Sequence, residues 1–255
     1  MRDGLFDLSG LVALVTGSSQ GLGFVMAGGL AGAGATVVLN GRDPDKLQTA
    51  VDLLRREAPA CRGYAFDVAD SEQVNRVVGS IEDEVGPIGI LVNNAGIQRR
   101  APLEELNDRQ WQEAMDTNLT GAFKVARAVA AGMIRRREGK IINICSLMSE
   151  LGRETTGAYA AAKGGLKMLT RAMAVEWAKY NIEVNGIGPG YFITPMTESL
   201  AKDAEFDRWL KARTPAGRWG RTEELIGPLV FLASKASDFV NGQVLYVDGG
   251  VLAAL

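Results

Sequence analysis

Apolar residues fall along this chain in two patterns that alternate. Short apolar runs at 11–16, 36–40, 63–66, 90–93, 140–144, 183–187 and 243–247 are each bounded by Gly, Asn, Asp or Pro, and this predicts strands. Between them, apolar positions recur at helical spacing, as at Leu166, Leu169, Met173 and Trp177. Strands alternating with helices of that length imply βαβ units, hence an α/β fold with a parallel sheet covered by helices on both faces. No internal repeat, low-complexity tract or long linker interrupts the alternation. The 255 residues, 47% of them apolar, are therefore read as one domain, 1–255, of about seven strands.

Composition narrows what such a domain can do. The net charge of −2 with mixed signs leaves no basic footprint for nucleic acid, and Arg135 to Arg137 reads as a solvated helix end. No apolar run is long enough to span a membrane and 1–10 has no signal-peptide pattern. Cys61 and Cys145, at unrelated positions, suggest free thiols and a cytoplasmic setting. The absence of histidine excludes a Ser-His-Asp triad and an HExxH site, and two cysteines alone cannot hold zinc, so no metal site is expected. Acid/base chemistry would have to come from Tyr, Lys, Asp or Glu. Helices apolar on more than one face, as at Ala172, Met173 and Val175, together with the apolar run 247–255, predict a homotetramer built from twofold contacts.

The first strand runs into TGSSQGLG, Thr16 to Gly23, and then into a helical stretch. A strand, a glycine-rich turn and a helix N-terminus form an anion site suited to a dinucleotide. Gly17 would permit the turn, Gly21 the approach of a pyrophosphate, and Gly23 close helix packing. The spacing is GxxxGxG, not the commoner GxGxxG. The second strand ends VVLNGRD, where an acid would hold a free ribose. Gly41 stands there instead, followed by Arg42, which can pair with a 2′-phosphate. NADP is thus expected over NAD, with dual use open because Asp43 is adjacent and Gln20 adds no second cation.

A third stretch, 140–163, carries candidate chemistry. Its apolar strand breaks at Ser146 and order resumes as a helix with Tyr159 and Lys163, spaced i, i+4 on one face. A phenol is a poor base at neutral pH, and a neighbouring ammonium would lower its pKa. Ser146 could hydrogen-bond the oxygen whose proton moves. Taken alone, a Tyr and a Lys one turn apart are an ordinary feature of a half-exposed helix face.

TGSSQGLG, Asn93-Asn94-Ala95-Gly96, Asn118, Ser146, YAAAK at 159–163 and PGYFIT at 189–194 together resemble the short-chain dehydrogenase/reductase family over essentially the whole chain. The resemblance implies a Rossmann-like fold in which Tyr159 exchanges the substrate proton, Lys163 holds the nicotinamide ribose and lowers the Tyr159 pKa, Ser146 orients the substrate oxygen, and Asn118 supports a proton relay. Read from sequence alone, Asn118 is more often a buried, hydrogen-bonded structural residue. It also implies cofactor contacts from Gly17, Ser19, Gln20, Gly21, Leu22 and Gly23, from Asp67 and Val68 at the adenine, from the Asn93–Gly96 turn, and from Pro189, Gly190, Ile193 and Thr194 towards the nicotinamide. Within the family the likeness is closest to sugar-acid dehydrogenases, through GIQRR at 96–100, NICSLMSELGRE at 143–154, RTPAGRWG at 213–220 and SKASDFVNG at 234–242, with Ala101 where a histidine is expected. The implied reaction is reversible hydride transfer at the C5 hydroxyl of gluconate. Its carboxylate and hydroxyls would call on Arg100, Arg153 and Glu150, with Arg99 a further candidate cation, while Arg218 and Trp219 read as packing and Met168, Met173 and Met196 as core or lid. A 3-oxoacyl carrier-protein reductase, a polyol or steroid dehydrogenase, and a non-catalytic dinucleotide-binding protein stay open as alternatives.

Overall fold

A computed structural model describes residues 4–254; Met1 to Asp3 of the signal-peptide reading and Leu255 of the apolar C-terminal run lie outside it. The strands are β1 (Val12–Val15), β2 (Thr36–Gly41), β3 (Arg62–Ala65), β4 (Ile88–Asn93), β5 (Gly139–Ile144), β6 (Ile182–Pro189) and β7 (Val244–Val247). All pair in parallel in one seven-stranded sheet of order β3-β2-β1-β4-β5-β6-β7. Each expected strand is present. The ends differ by one or two residues for most, and β6 runs on to Pro189 because Gly188 and Pro189 stay in register with Tyr246 and Val247 of β7.

The central strands are almost wholly buried, β1, for example, in all four of its positions and β4 and β5 in all but their second. Their apolar runs follow from having helices on both faces. β3 departs from that pattern: Arg62, Gly63 and Ala65 are exposed, as an edge strand tolerates. One layer of core sits between the sheet and α1 (Gly21–Gly32), α2 (Pro44–Leu54) and α9 (Ile226–Ala233), around Met26, Leu30, Leu47 and Leu229. The other sits under α3 (Ser71–Glu84), α5 (Gly121–Arg136) and α6 (Gly157–Trp177), around Val78, Ile81, Val129 and Met173. Leu166 and Met173 of the predicted helical stripe are buried. Met168 is 57% exposed, so it is not core, and it does not line the cleft described below, so it is not a lid over it.

The chain lays down β1, β2 and β3 outward and then returns to place β4 on the other side of β1. That reversal opens a crevice beyond the carboxyl ends of β1 and β4, where open α/β sheets bind ligands. Among the described residues no helix is long and apolar enough to cross a membrane.

Candidate active site

The glycine-rich turn is fixed by hydrogen bonds to chain that is distant in sequence. The Asn94 amide nitrogen donates to Thr16 O and Gly17 O, each at 2.9 Å, and the backbone N–H groups of Asn94 and Ala95 donate to Thr16 Oγ1 at 3.0 and 3.1 Å. Gly17 N–H donates to Asn40 Oδ1 at 3.1 Å. The ends of β1, β2 and β4 are thereby tied into one rim. Gly17 has φ +61°, and a Cβ there would lie 2.7 Å from Ala95 Cα, so both conformation and space require glycine. A Cβ at Gly23 would meet Asn94 Nδ2 at 2.4 Å and Gly17 O at 2.5 Å, so this glycine lets α1 approach the turn itself. No side chain caps α1, which leaves its first-turn N–H groups for an anion.

This rim opens into a cleft of about 340 Å³. Gly17, Ser19, Gln20, Gly21, Leu22 and Gly23 line one end, with Arg42, Asp67, Val68, Asn94, Ala95 and Gly96. Ser146, Tyr159, Lys163, Pro189, Gly190 and Thr194 line the middle, and Arg100 and Arg153 the far end. Besides Asn118, described below, four residues expected from the sequence fail to reach it. Ile193 is 54% exposed and does not line the cleft. Asn93 is buried in the sheet, donating to Asn143 Oδ1 and Ala122 O. Glu150 accepts from Lys167 Nζ and, at 2.6 Å, from Tyr246 Oη, so it braces the loop after β5 against α6 and β7. Arg99 is held by Glu113 at 2.7 Å.

At the second strand's end, Asp43 is the N-cap of α2, accepting from Asp45 N–H and Lys46 N–H at 3.1 Å, which removes it as a ribose acceptor. Arg42 is 61% exposed and pairs loosely with Asp67 at 3.6 Å. An exposed pair of this kind is weakly held.

Tyr159 and Lys163 share the face of α6 that meets Ser146. Lys163 Nζ lies 5.7 Å from the Tyr159 ring centroid and donates to Ile144 O. The expected lowering of the phenol by this ammonium is not what the structure shows: burial pushes Tyr159 up, with the Ser146 hydroxyl acting in the opposite sense. Burial also lowers Lys163, to about 8. Ser146 caps the short turn at 147–149, its Oγ accepting from Met148 N–H, and Ser149 Oγ donates to Lys163 O at 2.9 Å, so the serine loop is tied to α6.

Asn118 sits in a π-helical turn, Asp116–Thr120, and is buried. Its amide donates to Ile97 O at 2.9 Å and Ala114 O at 2.8 Å, and its Oδ1 accepts from Ile97 N–H at 3.1 Å. Both amide N–H groups are consumed and the side chain does not line the cleft. It clamps the loop after β4, the structural alternative read from sequence.

The far end of the cleft holds residues that the sequence reading passed over. Tyr191 and Gln98 line the cleft, and Gln98 Oε1 accepts from Arg100 Nε at 3.1 Å. Neither Arg100 nor Arg153 makes an ion pair among the described residues. Burial and then the Arg153 charge lower the Arg100 pKa, while Tyr191 acts oppositely. Arg218 is bidentate with Glu224 and Trp219 is buried, as packing requires. Met196 lines the cleft at 45% exposure, in keeping with a lid.

Comparison with known proteins places the chain. The family model described as enoyl-(acyl carrier protein) reductase, adh_short_C2, matches residues 17–252. The 2-dehydro-3-deoxy-D-gluconate 5-dehydrogenase of Formosa agariphila is 54% identical over 98% of this chain and 96% of its own. The gluconate 5-dehydrogenase of Gluconobacter oxydans is 53% identical over 98% of both chains. A crystal structure of a gluconate 5-dehydrogenase from Burkholderia cenocepacia, in complex with NADP and tartrate, superposes with a TM-score of 0.96 at 52% identity, covering 99% of each chain. With the sheet order, the glycine-rich rim and the Tyr159/Lys163/Ser146 face already in view, these matches show that the chain belongs to the short-chain dehydrogenase/reductase family of oxidoreductases.

Proposed function

We propose that the protein is an NADP-dependent dehydrogenase that interconverts the C5 hydroxyl of gluconate and the corresponding 5-keto acid. The observation that carries the substrate class is the pair Arg100 and Arg153, two guanidinium groups without a carboxylate partner in the cleft that holds Tyr159. A sugar acid supplies the missing anion, and arginine binds a carboxylate through a fork of parallel N–H donors. Relatives named for gluconate and for 2-dehydro-3-deoxy-D-gluconate, and one structure holding NADP with tartrate, support this reading.

The cleft fits the cofactor. Uncapped N–H groups at α1 and the glycine turn suit a pyrophosphate, and Arg42 suits a 2′-phosphate, with no free carboxylate at Gly41 to oppose it. Lys163 would hold the nicotinamide ribose, and Ala95, Gly96, Pro189, Gly190 and Thr194 would flank the cofactor. Bound NADP supplies the hydride donor or acceptor. Tyr159 then carries the proton: as the phenol it donates to the carbonyl oxygen in reduction, and in the reverse direction its phenolate accepts the hydroxyl proton. Ser146 Oγ–H donates to the same substrate oxygen. Asn118 is a positioning residue that fixes the loop at Ile97. A homotetramer in the cytoplasm is part of the same proposal, supported by exposed apolar side chains such as Val175 at 81% and Leu245 at 40%.

The test is a panel of gluconate, 2-dehydro-3-deoxygluconate and sorbitol with NADP and NAD, followed by nicotinamide absorbance. We expect turnover with NADP and a sugar acid; 2-dehydro-3-deoxygluconate is the second reading, favoured by the 54% identical relative. No turnover with either acid would overturn the assignment.

A further inference from the structure

Arg153 has an unusual attachment for a cation that is to bind a substrate. Among the described residues its guanidinium makes no side-chain hydrogen bond and no ion pair; its Cζ lies 4.6 Å from the centroid of the Phe206 ring. Phe206 stands at the start of α8 (Ala204–Arg213), some distance along the chain from the serine loop that carries Arg153. The ring is itself well fixed. It packs against Tyr191, Trp209 and Trp219 at centroid separations of 5.8, 5.2 and 6.2 Å. The neighbouring Asp207 accepts from Trp219 Nε1 at 2.8 Å and pairs with Lys211 at 2.7 Å, and Asp203 caps the helix. Four aromatic rings, one of them the pinned indole of Trp219, thus present one ring face to Arg153.

The mode of attachment matters chemically. A guanidinium held by a carboxylate has part of its N–H fork consumed, whereas one held over a ring is held through its flat face, and the in-plane N–H donors stay free. We propose that Phe206 is a positioning residue for substrate selection, orienting Arg153 by its face so that the fork is free for the substrate's carboxylate, and thereby making α8 part of acid recognition. This rests on the sugar-acid reading above. It also gives the cluster of Tyr191, Phe206, Trp209 and Trp219 a role other than packing, because only one of the four rings meets the cation.

The test is a double-mutant cycle on the full-length enzyme with NADP, comparing Phe206→Leu, Phe206→Tyr, Arg153→Ala and the Arg153→Ala/Phe206→Leu pair. Phe206→Leu should raise the KM for gluconate by about five- to tenfold, the size of a partly desolvated cation–π contact. Turnover number and NADP dissociation constant should stay near those of the wild type. Phe206→Tyr, which keeps the ring face, should restore the KM. In the Arg153→Ala background, Phe206→Leu should add nothing. An unchanged KM in Phe206→Leu, an equal loss in Phe206→Tyr, or losses that add in the pair would each overturn the inference. Sorbitol separates the two layers: if the wild type uses it as well as gluconate, the sugar-acid reading fails and this inference with it, whereas a selective wild type with additive losses sinks the inference alone.

Discussion

At the β1–β4 end of the cleft, backbone does most of the building. Asn94, Thr16 and Asn40 spend their side chains tying strand ends together, and what is left facing the cleft is turn, glycine and the bare start of α1. At the other end, Arg100, Arg153 and Tyr191, with Phe206 against Arg153 outside the lining, come from four segments and meet only through side chains. The first kind of site tolerates little change and suits a ligand common to a whole family. The second can be rewritten one side chain at a time, so this is where selectivity between related alcohols can arise on an unchanged scaffold.

The largest expected effect falls between these two ends. Tyr159→Phe keeps the ring but removes the group that exchanges the proton, so turnover should drop by about a hundredfold or more while NADP binding holds. Near-normal turnover would remove Tyr159 from the chemistry.

Lys163 sharpens the comparison from the stability side. Burial takes it from 10.5 to about 8. Between those values the folded protein has released a proton that the unfolded chain still holds, so unfolding takes up a proton and stability rises with pH through the window. Below about 8 the full cost of the buried ammonium is present. At about 1.4 kcal/mol per pKa unit, wild type should gain about 3 kcal/mol relative to Lys163→Met between pH 8 and 10.5. Urea midpoints of both proteins measure it; a constant difference would mean the ammonium is not desolvated.

A smaller effect is expected at the cofactor's phosphate. Arg42→Ala should weaken NADP by about 1.5–3 kcal/mol, as for a lost charge-assisted contact, and leave NAD nearly unchanged. Equal losses in the two dissociation constants would make Arg42 structural. Gly41→Asp is a less clean probe, since its Cβ would sit 3.1 Å from Ser19 Oγ and 3.2 Å from Ser19 Cβ, and Ser19 would have to shift.

What the sequence makes legible follows the same division. The seven strands, the glycine turn and the Tyr159/Lys163 spacing are local patterns, and each lies in the structure where its period puts it. Glu150 does not face the cleft because its partners are remote: Tyr246 stands on β7, and Lys167 nearly three turns into α6. The Tyr159 shift had the wrong sign for a related reason. A spacing of i, i+4 reveals the neighbouring charge but not the burial, which pushes the phenol up. Phe206 was passed over because aromatic residues at helical spacing ordinarily mean core. The available signal was the density of rings across Tyr191, Phe192, Phe206, Trp209 and Trp219, more than one short helix needs.

The division of the cleft into a shared cofactor end and a selective acid end is tested most directly by one ratio: kcat/KM for gluconate over that for sorbitol, with NADP, in the wild type and in Arg153→Ala, alongside the NADP dissociation constant of each. A strong preference for gluconate in the wild type, collapsing in Arg153→Ala while NADP binding is unchanged, is the predicted result. A wild type that uses both substrates equally, or an Arg153→Ala variant that loses NADP binding and gluconate preference together, would contradict it.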